Sequence, residues 1–181
     1  MSQIPYTSAV GSLMNAMVAT QPDLAYVVGV TSRYMSNFGG RHWEAVKNIF
    51  WYQRDTEYLQ LTFGSNKPTK VEAFTNSDYA SNPNNWKSTS GYVFTYGGST
   101  ISWRSRLQDC TTLSTTEAEY VVACEATKEV ICLHRLLANF STNNQIDHPA
   151  PILHCDSQSG YTIFQSSSLT RSSMSRKWIP R

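Results

Sequence analysis

Three acidic residues and an asparagine stand where apolar runs end or begin. Residues 70–75, KVEAFT, run into Asn76-Ser77-Asp78; residues 151–155, PILHC, run into Asp156; and Glu119 lies on the first turn of a helical stretch between them. Carboxylates brought together repel one another and lose solvation unless a cation neutralises them. A convergent acidic set without nearby Arg or Lys therefore points to Mg2+ or Mn2+. Two such ions ~3.5 to 4 Å apart stabilise both the attacking and the departing oxygens of an in-line phosphoryl displacement. The chemistry expected of Asn76 or Asp78, taken with Glu119 and Asp156, is phosphodiester hydrolysis.

The element that must position Glu119 spans residues 113–140. Val122, Ala126, Val130, Leu133, Leu137 and Phe140 recur at helical steps, an apolar stripe that predicts an amphipathic helix lying on a sheet. Ser114-Thr115-Thr116-Glu117 has the form of a capping box, in which serine hydroxyl and glutamate carboxylate satisfy orphan backbone N–H groups. Glu119 precedes Val122 by one turn and extends the stripe toward its N-terminal end. Glu117 points roughly 200° away from it at ~100° per residue. One glutamate caps and the other aims at the core edge, although Thr116-x-x-Glu119 fits the same box.

With 181 residues and 40% hydrophobic composition the chain can bury one good core, or one core plus a small appendage. A formal charge of +2 excludes a strongly basic protein, so any nucleic-acid surface must be local. Cys110, Cys124, Cys132 and Cys155 form no CxxC pair and read as buried free thiols in a reducing compartment. His148 and His154-Cys155 do not make a zinc set, because neighbours on a strand face opposite ways. No basic segment leads into a short apolar core at the N-terminus, and no stretch of ~18 apolar residues occurs. The expected chain is soluble, intracellular and without a membrane partner.

In order, residues 6–20, 22–34 and 42–52 carry helical spacing, with Asn37-Phe38-Gly39-Gly40 as a break. Residues 1–57 are expected to be a small helical segment and residues 58–181 an α/β domain. In the latter, Leu59, Leu61 and Phe63 alternate as a strand, residues 70–75 form another, and residues 91–96 and 99–104 make a hairpin around Gly97-Gly98. The long helix, the 151–155 strand and a helix over 157–164 follow. A strand reached across a helix lies parallel to an earlier one, which predicts a mixed sheet. In such sheets the residues just past the carboxyl ends of strands meet in one crevice.

Residues 88–129, STSGYVFTYGGSTISWRSRLQDCTTLSTTEAEYVVACEATKE, closely resemble the ribonuclease H region of copia-type retrotransposon Pol polyproteins. YTSAVGSLMNAM, QPDLAYVVGVTSRYMSN and HWEAVKNI resemble the segment joining reverse transcriptase to ribonuclease H, and CDSQS at 155–159 agrees, so the likeness runs from Tyr6 to about Gln165. It implies a ribonuclease H-like mixed sheet with flanking helices. It also implies hydrolysis of the RNA strand of RNA/DNA hybrids with two divalent ions, other Pol segments as partners, and a cytoplasmic, virus-like-particle setting.

Carried over residue by residue, the second glutamate of the family's TEAEY motif falls on Glu119 and the aspartate of CDSQS on Asp156. The first catalytic aspartate belongs to T-D-A-D, and this chain reads Thr75-Asn76-Ser77-Asp78. Asn76 therefore occupies the catalytic position with an amide that brings no charge, and Asp78 is its partial substitute. The family continues with R-T-K-H-I-D, a strand, and a helix bearing a fourth aspartate, none of which residues 169–181 keep, so the domain is expected to be incomplete at its C-terminus. The implied activity is impaired by Asn76 and by the missing C-terminal elements; the alternative is an inactive nucleic-acid-binding module or a nonfunctional remnant. Lys87, Arg104 and Arg106, with Trp86 and Trp103 nearby, are the expected phosphate contacts, against a solvated strand with snorkelling side chains.

Overall fold

A computed structural model of the chain describes residues 4–64, 70–144 and 150–155. They divide into two compact units between Thr62 and Phe63. Unit one is helical, with α1 (Tyr6–Ala19), α2 (Ala25–Ser32) and α3 (Gly40–Asp55), and a 3-10 turn at Pro22–Leu24 leading into α2. Its core joins Val10 and Leu13 to Leu24, Val28, Val46 and Ile49. Tyr6 anchors it: the ring stacks on Phe38 at 4.5 Å and the buried hydroxyl donates to the Thr31 carbonyl at 2.8 Å. The helix expected over 22–34 is shorter, because the backbone turns after Ser32 toward Gly39. There the Gly39 N–H donates to His42 Nδ1 at 2.9 Å, giving α3 a start that sequence spacing placed two residues later.

Unit two is α/β. Strands β1 (Val71–Asp78), β2 (Thr89–Tyr96), β3 (Ser99–Leu107) and β4 (Ile152–Cys155) form one sheet in the order β3-β2-β1-β4. β1 pairs antiparallel with β2 and parallel with β4, so the sheet is mixed, as the strand-helix-strand order predicts. Gly97 and Gly98 make the hairpin turn with φ of 58° and 80°, a left-handed pair that glycine adopts without Cβ strain. The helix α4 (Thr115–Asn144) packs Val122 and Ala126 on Val71, Ala73, Tyr92 and Phe94. The stripe continues through Val130, Leu133 and Leu137 and then fails: Phe140 is 61% exposed, beyond the end of the sheet's cover.

The strand expected at residues 58–63 is absent. Residues 59–64 form no regular element, and Leu59 and Phe63 are largely exposed. Alternation specifies a strand only where a sheet buries one face, and these residues pair with no strand among the described residues. The cysteines also depart from expectation: Cys110 and Cys132 are exposed, Cys124 and Cys155 half-buried. Cys132 falls off the apolar stripe of α4, and Cys110 lies in the loop after β3. Phe94 is fully buried, and Phe94→Ala is expected to cost about 3–5 kcal/mol in denaturant unfolding. Phe140→Ala is expected to change stability by less than about 0.5 kcal/mol.

Candidate active site

Glu119 is placed by two local devices. Ser114 Oγ accepts the Glu117 N–H at 3.2 Å, and Glu117 Oε2 accepts the Leu113 N–H at 2.7 Å, so the cap fixes where α4 begins. Val122 and Ala126 fix how the helix is rotated, since both are fully buried against the sheet. Glu119 then falls at the core edge, 8% exposed, and its Oε1 accepts the Ser77 N–H at 2.8 Å. The division of labour between the two glutamates is the one their spacing predicts.

The Ser77 nitrogen belongs to the peptide link joining Asn76 to Ser77, so Glu119 sits on the backbone of the expected catalytic position. Among the described residues β4 accompanies β1 as far as Thr75, paired with Cys155. Thr75 Oγ1 lies 3.2 Å from the His154 carbonyl oxygen and 3.3 Å from Cys155 Sγ, which closes the end of that parallel pair. Burial pushes the Cys155 thiol pKa up, the Thr75 hydrogen bond opposes this, and the nearby Glu119 charge adds to the rise. Glu119 thus stands at the carboxyl ends of both parallel strands.

Asn76 and Asp78 are exposed and share the strand face that also carries Phe74, opposite the face that Ala73 and Thr75 turn toward the core. Asp156 lies outside the described residues. Among the described residues no three His, Cys, Asp or Glu side chains gather as a metal cluster. At the strand ends they supply one buried carboxylate, one amide and one exposed carboxylate. Without Asp156 that set falls short of the several charged oxygens a two-ion centre needs to offset two divalent cations.

The three expected phosphate contacts are each engaged within unit two. Lys87 Nζ donates to the Asp109 carbonyl at 2.6 Å, and Arg106 bridges to the Asp109 carboxylate at 2.9 Å, so both converge on one loop residue. Arg104 hydrogen-bonds Tyr92, which together with nearby Glu125 and Glu129 on α4 raises its pKa further. The exposed Arg106–Asp109 pair contributes little to stability. Trp86 is 66% exposed in a tight loop where its N–H donates to Asn82 O at 2.8 Å and its φ is 55°. A separate cleft of about 540 Å³ lies in unit one between α2 and α3. Apolar residues dominate it, and its one carboxylate, Asp23, accepts from Tyr52 Oη at 2.7 Å.

Gln108 is the positioning residue that spacing did not disclose. It is 2% exposed; Nε2 donates to Ser90 Oγ and to the Ala118 carbonyl, both at 3.0 Å, and its own N–H donates to Ser88 O at 2.8 Å. It therefore ties the ends of β2 and β3 to the residue just before Glu119. A polar side chain in a loop has no periodicity to reveal this, and β3 runs to Leu107, three residues past the strand end that the sequence pattern set at 104. Gln108→Ala is expected to lower stability by about 1–3 kcal/mol, since it strands buried partners, with the loss read in chemical denaturation. Cys155 is expected to be alkylated more slowly than Cys110 and Cys132 in the folded chain, because the thiolate is the nucleophile and Cys155 resists ionisation. Unfolding should bring Cys155 level with the others, as peptide mass mapping would show.

No family model matches the chain, and no solved structure matches it. It is 47% identical over 167 residues to the retrovirus-related Pol polyprotein from transposon TNT 1-94 of Nicotiana tabacum, covering 92% of this chain and 12% of that protein. It is 32% identical over 151 residues to the Pol polyprotein from transposon RE2 of Arabidopsis thaliana, covering 83% of this chain and 10% of that protein. It is 41% identical over 133 residues to secreted RxLR effector protein 161 of Plasmopara viticola, covering 74% of this chain and 94% of that protein. The chain thus spans about a tenth of the length of the Pol polyproteins it matches. By this likeness, running through both units, the chain belongs to the retrovirus-related Pol polyproteins of copia-type transposons.

Proposed function

We propose that the chain is the ribonuclease H-like region of a retrotransposon Pol polyprotein, built to act on RNA/DNA hybrids and curtailed in hydrolysis by the amide at position 76. The observation that carries this reading is the buried Glu119 carboxylate, held at the carboxyl ends of β1 and β4 on the Asn76–Ser77 peptide. A mixed sheet with a helix acid at its strand ends is an arrangement that can serve a phosphodiester hydrolase. Relatives named as Pol polyproteins make nucleic acid the natural substrate class.

The residues then divide the work. Glu119, with Asp156 and Asp78, supplies acidic oxygens, and Mg2+ or Mn2+ is the cofactor such oxygens would take. Lys87, Arg104 and Arg106 meet phosphates, and Trp86 offers a stacking surface. Recognition of a hybrid runs through its shape, sugar hydroxyls and phosphates rather than through base sequence. Other Pol segments are its partners within a longer chain, while the effector likeness supports a region that also stands nearly alone. Asn76 favours a second reading in the same terms, a module that binds nucleic acid without cutting it.

Incubation with a labelled RNA/DNA hybrid and Mn2+ separates these readings. The unmodified chain is expected to cleave weakly, Asn76→Asp to cleave at least tenfold faster on the scale of roughly 10²–10⁴ typical of a lost catalytic group, and Glu119→Gln not at all. Failure of Asn76→Asp to cleave, with hybrid binding intact, would leave the binding module as the function. Failure of every form to bind hybrid at low salt would sink both.

A further inference from the structure

Asn76 is followed by Ser77, and a small residue after asparagine leaves room for the succinimide reaction, in which the next backbone nitrogen attacks the side-chain amide. Here that nitrogen is already engaged: the Ser77 N–H donates to Glu119 Oε1 at 2.8 Å. Loss of that proton is the activating event for a poor amide nucleophile, and a carboxylate acceptor in hydrogen-bond contact is where general-base assistance begins. We propose that Asn76 is a self-deamidation site, with Glu119 drawing the proton from Ser77 N as the imide forms.

The step balances within the chain and water. Ser77 N forms a bond to Asn76 Cγ as its proton passes to Glu119 Oε1. The Cγ–Nδ2 bond breaks, the leaving nitrogen takes the proton from Glu119, and ammonia departs. Water then opens the five-membered imide. Attack at Cγ leaves an aspartate at position 76, and attack at the backbone carbonyl leaves isoaspartate. No oxidant, reductant or metal is required.

Sheet structure opposes the reaction where a strand is held on both edges, because the ring needs the backbone to turn. Among the described residues β1 is held on both edges through Thr75, and residues 76–78 pair with β2. Asn76 is exposed, and the residue opposite it across the ladder is Gly91, which sets no side chain against a turning Asn76. The other asparagines of the loop serve as comparison. Asn82 precedes Pro83, which has no N–H, and the residues after Asn84 and Asn85 donate to a carbonyl instead of a carboxylate: Asn85 N–H and Trp86 N–H both reach the Asn82 carbonyl. The consequence for hybrid cleavage rests on the proposed function above; the modification itself does not.

Timed incubation of the full chain at neutral pH, with tryptic digestion and mass spectrometry, tests this. One peptide, residues 71–87, carries Asn76, Asn82, Asn84 and Asn85, so fragment ions assign the amide-to-acid mass gain internally. The gain is expected at Asn76 several-fold faster in the folded chain than in urea, and several-fold faster than at Asn84 or Asn85. Glu119→Gln should slow it several-fold while Glu44→Gln, an exposed glutamate of α3 in the other unit, leaves it unchanged. Should Glu119→Gln fail to fold, the folded-against-urea comparison of the unmodified chain decides alone. A folded rate at Asn76 equal to or below the urea rate would overturn the proposal, whatever the cleavage assay shows.

Discussion

The hydrogen bond from Ser77 N–H to Glu119 Oε1 is the constraint on which the arrangement at the strand ends depends. A carboxylate 8% exposed costs several kcal/mol in lost hydration unless charged-group hydrogen bonds offset it. Such a bond comes from bringing the first turn of α4 onto the last residues of β1. Every upstream feature serves that meeting: the cap at Ser114 and Glu117 sets the helix start, and Val122 and Ala126 set its rotation. A slip of one residue in the cap would turn Glu119 by about 100° and carry it off the strand.

The same corner is polar where the rest of the sheet is apolar. Ser88, Ser90, Gln108 and Thr112 are all buried, and Ser88 Oγ lies 2.9 Å from Thr112 Oγ1 while also accepting the Ala80 N–H at 3.1 Å. Farther along, Val71, Ala73, Phe94, Val122 and Ala126 exclude water with no polar partner to satisfy. The apolar half supplies cohesion and the polar half supplies orientation, because hydrogen bonds in a low-dielectric setting fix angles that packing alone leaves loose. Substitutions in the two halves should therefore differ in kind, one lowering stability and the other loosening where Glu119 points.

What could be read from residues follows the same division. α4, the hairpin at Gly97-Gly98 and the split between Glu117 and Glu119 were legible because each has a period or a fixed offset: 3.6 for the stripe, two glycines for the turn, three residues for the cap. Residues 58–63 misled because alternation records the wish for a buried face and not the presence of a sheet to bury it. Phe140 misled because a stripe does not say where its cover ends. Gln108 was silent, since its partners come from β2 and α4 and only the fold brings them together. That Asn76 and Asp78 share a face was available from alternation, whereas Glu119 meeting the backbone at Ser77 was not.

The energetic weight of the amide at position 76 follows from the arrangement itself. Asn76 turns its side chain to the exposed face of β1, opposite the face that Ala73 and Thr75 turn toward the core, while Glu119 meets the backbone N–H of the next residue. A charge at position 76 would therefore be well solvated and its interaction with Glu119 screened. The Ser77–Glu119 bond depends on the backbone rather than on the side chain at 76, so the corner is built the same way with an amide or a carboxylate there.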